Sequence, residues 1–207
     1  MRAITPIIAC GSLAFMTAGC ATPYAGPVEI TRFVAPTAQS AGALGSGPIT
    51  VVLAEDSENK SAAPAYLTAV ANQLTALGYS VQPGAQAAQT AIVSVEREPF
   101  TSVDRGRSPV SVGVGGSTGS YGSGVGLGVG FNLGGGQKPR EVTSLSVRIN
   151  SDETLWEGRS TIVTSTDAAL SEPDANADIL ALGLFQDFPG GNGETTSIKP
   201  SDLAKAP

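Results

Sequence analysis

The chain has 207 residues, 41% of them hydrophobic and only 14% charged, with a formal net charge of −6. It has no histidine and only two cysteines, Cys10 and Cys20, which removes Ser-His-Asp triads, Cys-His nucleophile pairs and the common zinc sites from consideration. The acidic balance argues against nucleic acid as a partner and against a net electrostatic grip on anionic lipid.

Met1 and Arg2 form a short basic start, and the mostly apolar stretch that follows carries Ile4, Ile7, Ile8, Leu13, Phe15 and Met16. It is too short and too interrupted for a spanning helix, and the small residues Ala18 and Gly19 close it before Cys20, with Thr17 where a lipobox most often carries Leu. This pattern resembles a bacterial lipobox. It predicts that residues 1–19 are a lipoprotein signal peptide, that the sulfur of Cys20 is acylated, and that the chain is cut before it. Each buried methylene of an acyl chain contributes about 0.8 kcal/mol, so several chains anchor a domain durably. Cys10 has too little apolar sequence ahead of it to serve. Ala21, rather than Asp, follows the cysteine, and by the enterobacterial sorting rule this favours the outer membrane, with the domain in the periplasm. Without residues 1–19 the chain holds 11 basic and 18 acidic side chains and no free thiol once Cys20 is acylated.

Residues 20–27 read as a lipidated tether, with Pro23, Gly26 and Pro27 discouraging regular structure. Alternation at Val28, Ile30 and Val34 predicts a strand, residues 35–48 a loop, and the apolar run 49–54 a buried strand. The acidic residues Glu55, Asp56 and Glu58 invite a calcium reading. However, a loop begun at Asp56 has Ser61 and Leu67 where an EF-hand needs Gly and Glu, so no metal or cofactor site is expected. Ser61 is a plausible N-cap for a helix whose apolar stripe is Leu67, Val70, Leu74 and Leu77, with Gly78 ending it. A third strand covers residues 90–95, and Glu96, Arg97 and Glu98 read as its solvated end.

Residues 106–136 hold 13 of the 26 glycines, and between Arg107 and Lys138 the phenol of Tyr121 is the one ionisable side chain. Val110, Val112 and Val114, then Val125, Leu127, Val129, Phe131 and Leu133, alternate with glycine or small polar residues, which predicts a hairpin insertion. Neither a dinucleotide nor a P-loop glycine pattern is present. The insertion is then a flexible segment, a packing surface for a partner strand, or a membrane-inserting element. Residues 141–150 and 154–164 form a second hairpin, with Trp156 as a core anchor. Ser171 to Asp174 starts a helix whose apolar face is Ala177, Leu180, Ala181, Leu184, Phe185 and Phe188. Residues 191–207 carry no hydrophobic pattern and read as a mobile tail.

The sequences Leu77-Gly78-Tyr79, Ala91-Ile92-Val93-Ser94-Val95, Leu155-Trp156-Glu157-Gly158 and Phe188-Pro189, in this order, resemble the bacterial lipoprotein family called domain of unknown function 4136. The resemblance covers roughly residues 28–190 and implies a small α/β envelope lipoprotein with a glycine-rich insertion, with no catalytic residue to carry over. The expected fold is α+β: a single domain over 28–190, built as a two-layer sandwich with a mainly antiparallel sheet covered by two helices. The expected function is a non-enzymatic outer-membrane lipoprotein that binds an envelope protein. One alternative is an oligomeric channel or secretion component that inserts its glycine hairpin. Another is an enzyme acting on cell-wall glycan through a carboxylate pair drawn from Glu29, Glu96, Glu98 and Glu157.

Overall fold

The computed structural model describes residues 23–42, 44–84, 87–100, 110–116, 125–131 and 139–205. Cys20 and the signal segment lie outside them. The elements run in chain order as β1 (Val28–Val34), α1 (Pro36–Ala41), β2 (Gly47–Leu53), α2 (Ala63–Ala76), β3 (Tyr79–Val81), β4 (Gln89–Phe100), β5 (Val110–Gly116) and β6 (Val125–Phe131). They continue as β7 (Arg140–Asn150), β8 (Thr154–Ser165), α3 (Pro173–Phe185), β9 (Thr195–Ile198) and α4 (Pro200–Leu203). This is an α+β fold on a mixed, open seven-stranded sheet ordered β3-β2-β4-β7-β8-β1-β9. The β2–β3 and β2–β4 pairs are parallel and the others antiparallel. β5 and β6 pair antiparallel in a separate two-stranded sheet.

Alternation along the strands builds the core. Val28, Ile30 and Val34 of β1, Ala91, Val93 and Val95 of β4, Leu145, Val147 and Ile149 of β7, and Trp156 and Ile162 of β8 are all buried. Register places them on one face, because side chains alternate across a strand and paired residues share a side. α2 and α3 pack on each other; α2 also meets β2, β3 and β4, and α3 meets β1, β7 and β8. The buried face of α2 is Ala63, Tyr66, Ala69, Val70 and Leu74. This face is rotated from the purely apolar stripe because Tyr66 enters the core carrying its hydroxyl. α2 ends at Gly78, whose φ of +104° is left-handed backbone that glycine adopts without a Cβ penalty.

Several expectations are corrected. Ser61 does not cap α2: Ala62 occupies the cap position without a side-chain bond, and Ser61 Oγ instead donates to Asn59 Oδ1. The expected loop 35–48 contains α1, whose Ala38 is buried. Arg97 is not solvated. Alternation carries it to the helix-covered face, where its Nε faces Glu141 Oε1 at 2.8 Å and its Nη2 donates to the Ser171 carbonyl at 2.7 Å.

The segment 191–207, expected to be a mobile tail, is structured through residue 203. β9 pairs with β1 as an edge strand, and Leu203 of α4 is 1% exposed against the Val28 and Ile30 end of the core. Its strand is short and nearly all polar because it lies exposed at the sheet edge, so no hydrophobic period marks it. The tether 20–27 is likewise shorter than expected, because the chain is fixed from Tyr24 onward. Tyr24 N–H donates to Ser165 Oγ at 2.9 Å, Ser165 N–H to the Tyr24 carbonyl at 2.8 Å, and Gly26 N–H to the Val163 carbonyl at 2.8 Å. The Arg140 guanidinium sits 4.2 Å over the Tyr24 ring.

Candidate functional site

The face of the sheet turned away from α2 and α3 is laid out in rows by the strand register. Val52, Ile92, Arg148, Glu157 and Phe33 align across five strands from β2 to β1. At about 4.8 Å between strands, this row runs about 19 Å. Its ends are apolar and open: Val52 is 37% exposed and Phe33 48%. In its middle Arg148 Nη2 faces Glu157 Oε1 at 3.5 Å, with both side chains about half exposed.

The next row is Ser94, Ser146, Arg159 and Thr31, in which Arg159 Nε donates to Ser146 Oγ at 3.0 Å. The third is Glu96, Ser144, Thr161 and Glu29, in which the Ser144 and Thr161 hydroxyls bond at 3.0 Å. The β2, β4, β7 and β8 part of this face lines a groove of about 640 Å³ that includes Val52, Asp56, Glu96, Arg148, Glu157 and Arg159 and stops short of β1. Val52 lies in the lining of the groove and Phe33 outside it, with the Arg148–Glu157 pair between them along the row.

The four carboxylates singled out from the sequence all fall on this face; Glu96 and Glu157 both line the groove, whereas Glu29 and Glu98 are not in its lining. Glu96 and Glu157 are two strands and four residues apart, about 16 Å along the backbone grid. Glu29 accepts from Ser197 Oγ at 2.6 Å, on the far side of the sheet from β4. Glu96 and Glu98 do share a strand and a face, at about 6.6 Å between backbone positions. Glu98 is exposed and outside the groove, whereas Glu96 is partly buried in its lining. Among the described residues no cluster of acidic, histidine or cysteine side chains is arranged to hold a metal ion. No helix of these residues is long and apolar enough to cross a membrane.

The polar groups with shifted acidity lie on the covered side. Tyr66 Oη donates to Asn176 Oδ1 at 2.9 Å, and burial pushes its pKa up to about 12. Tyr79 accepts the Gly45 N–H at 2.8 Å, and burial raises its pKa as well. Arg32 donates from Nε to the Leu184 carbonyl and from Nη2 to the Gly183 carbonyl, both at 2.8 Å. Burial lowers its pKa and the nearby Asp187 carboxylate opposes that shift. These groups stabilise the helix layer and do not reach the groove.

The sequence reading missed the row itself. Treating 49–54 as one buried run hid that Val52 points to the opposite face from Ile49 and Val51. A stricter count of alternation marks Val52, and Phe33 by the same logic, as residues out of phase with the core.

No family model matches the chain. An uncharacterized protein of Zymomonas mobilis is 36% identical over 58 residues, which is 28% of this chain and 22% of that protein. The chain thus spans about a fifth of that relative's length. Among solved structures, it is similar to a PDZ domain protein from Parabacteroides distasonis, with a TM-score of 0.49, 14% identity and coverage of 84% of this chain and 38% of that one. It is also similar to the PelC dodecamer subunit of Paraburkholderia phytofirmans, with a TM-score of 0.41, 14% identity and coverage of 74% and 91%.

Proposed function

We propose that the chain is an outer-membrane lipoprotein without enzymatic activity, held by acylated Cys20, whose domain faces the periplasm and binds an envelope protein along the open row of the sheet. In this reading the fold is a two-layer sandwich, with α2 and α3 as one layer, and residues 106–136 are a hairpin inserted between β4 and β7. The observation that carries it is the spacing between the lipobox and the fixed fold. Tyr24, where the sheet takes hold of the chain, comes four positions after Cys20. A short leash of this kind suits a domain worked at the membrane surface, whereas a secreted domain gains nothing from a cysteine at that position. The row from Val52 to Phe33 supports binding rather than catalysis, since it offers apolar contacts and a solvated charge pair but no sequestered acid and base.

Metabolic labelling with a fatty acid tests the anchor: label lost on Cys20→Ser supports it, and label unaffected by that substitution contradicts it. Photo-crosslinking from Val52 and Arg159 in intact cells tests the surface. A discrete envelope-protein adduct is expected from both positions, and none from either counts against the binding role.

A further inference from the structure

We infer that the groove on the open face takes an extended peptide segment of the partner that carries a basic and an acidic side chain four positions apart; this rests on the reading of that face as a binding surface. The charges lining the groove are sorted by strand. Glu55 and Asp56, just past the end of β2, and Glu96 on β4 make one side acidic. Arg148 on β7 and Arg159 on β8 make the other side basic, with Glu157 of β8 offsetting one of them. Three carboxylates give the first side a formal charge of −3, and two guanidinium groups less one carboxylate give the second +1.

This sorting selects against ligands of a single sign. A purely anionic segment meets Glu55, Asp56 and Glu96, a purely cationic one meets Arg148 and Arg159, and like charges in contact cost binding. A segment with one charge of each sign finds an opposite charge at both ends. Arg159 is the cation most available to it. Its Nε donates to Ser146 Oγ at 3.0 Å, which orients the guanidinium, and it forms no ion pair among the described residues. A guanidinium held in this way presents a two-pronged donor to a carboxylate. Arg148, in contrast, already faces Glu157 at 3.5 Å.

The register sets the spacing. Glu96 and Arg159 lie two strands and one row apart, about 12 Å between backbone positions. In an extended segment, side chains four positions apart point to the same side and stand about 13 Å apart. The step from Glu96 to Arg159 passes the hydroxyls of Ser94 and Ser146, and Val52 and Ile92 in the adjoining row add apolar contact. The volume of about 640 Å³ suits a segment of a few residues rather than a folded surface. Among the described residues of the lining none is aromatic, so no ring offers a sugar or a base a face to stack on.

The test uses the full chain in intact cells, with a photo-crosslinking residue in place of Val52, which lines the groove without carrying charge. The adduct is cut with a protease that spares basic residues, and the joined segment is sequenced by mass spectrometry. It should hold a Lys or Arg and an Asp or Glu four positions apart. Glu96→Gln and Arg159→Gln, each added to the crosslinking chain, should lower the yield of adduct about threefold or more. Arg159→Lys should recover only part of that loss, because an ammonium cannot reproduce the two-pronged contact. Glu98→Gln, on the same strand as Glu96 but outside the groove, should leave the yield unchanged. A joined segment that lacks the charge pair overturns the inference, and so does a yield untouched by both substitutions at an unchanged unfolding midpoint; either result leaves the binding role of the face intact. No adduct at Val52 also overturns it, and none at Arg159 either removes the binding role as well. Arg159 is exposed, so its replacement keeps the test decisive even where Glu96→Gln fails to fold.

Discussion

Tyr66 and Asn176 join the two core helices through one buried hydrogen bond of 2.9 Å, with the phenol as donor. The direction is fixed, because Asn176 Nδ2 is already committed to the Leu170 carbonyl at 2.7 Å and Oδ1 is the acceptor that remains. Tyr66→Phe leaves that acceptor buried without a donor, which should cost about 1–3 kcal/mol in denaturant unfolding. The pH dependence gives a second readout. Tyr66 titrates at about 12 when folded against 10.0 ordinarily, so the unfolded chain releases its proton first. Its contribution is complete below pH 10 and falls as pH rises through the folded value. The Tyr66→Phe variant should decline less steeply across that window. The decline should not vanish, because Tyr79 is raised too. Equal alkaline slopes in the two proteins would count against the assignment.

Gly158 is the floor on which Trp156 lies. A Cβ there would run into Trp156 Cη2 and would stand 2.8 Å from Leu184 Cδ1. The indole has no room to retreat: it stacks on Phe185 at 5.5 Å and its Nε1 donates to the Pro189 carbonyl at 2.9 Å. Gly158→Ala should therefore destabilise by about 1–3 kcal/mol, with a changed tryptophan emission that reports the displaced ring. An unchanged emission spectrum together with unchanged stability would refute the packing argument.

These two sites show what the sequence makes legible. Trp156 reads as a core anchor from its size alone, and the strands around it follow from period-two alternation. The need for glycine two residues later does not read, because Gly158 occupies a position that alternation assigns to the core, yet its role is to be empty. Tyr66 escapes an apolar count since its hydroxyl is satisfied by a residue 110 positions away. Arg97 escapes for the same reason, its partners being Glu141 and the Ser171 carbonyl. β9 escapes because it is an exposed edge strand with one partner, and polar residues there cost nothing. Local periodicity thus recovers the elements, whereas the long-range polar pairings and the row on the open face require the register.

Arg32 shows how a charged residue comes to lie on the covered face of β1. It closes the C-terminal end of α3 by donating to the carbonyls of Gly183 and Leu184, both of which lack an intrahelical donor there. Arg32→Met keeps much of the stem packing and removes the donors, so its cost isolates the cap at about 1.5–3 kcal/mol. Arg32→Lys should recover only part of it, because one ammonium cannot reproduce the two-pronged geometry. Full recovery by lysine would argue for charge alone.

The C-terminal strand and helix close the β1 side of the core. Leu203 is 1% exposed, and its Cδ1 crowds the same spot beside Gly183 as Ile30 Cδ1 and Val28 Cγ1. Leu203→Ala should cost about 2–5 kcal/mol. A chain ending at residue 194 should lose more, since the exposed edge of β1 loses its pairing with β9 as well. A truncated chain as stable as the full one would return this segment to the status of a tail.

Arg148 and Glu157 allow stability and binding to be separated. The pair is half exposed at 3.5 Å, a geometry whose net contribution to folding is about 0–1 kcal/mol. Replacing either residue by Ala should leave the unfolding midpoint nearly unchanged. If an envelope partner lies along the row, the same replacements should weaken the crosslink from Val52. The charge reversal Arg148→Glu should weaken it more than Arg148→Ala, because a like charge beside Glu157 repels and the partner's complementary group faces the wrong sign. The double exchange Arg148→Glu with Glu157→Arg restores the ion pair but not its orientation toward a partner. An unchanged unfolding midpoint without recovery of crosslinking would place the role of the pair in recognition. Recovery of crosslinking would reduce it to a surface ion pair.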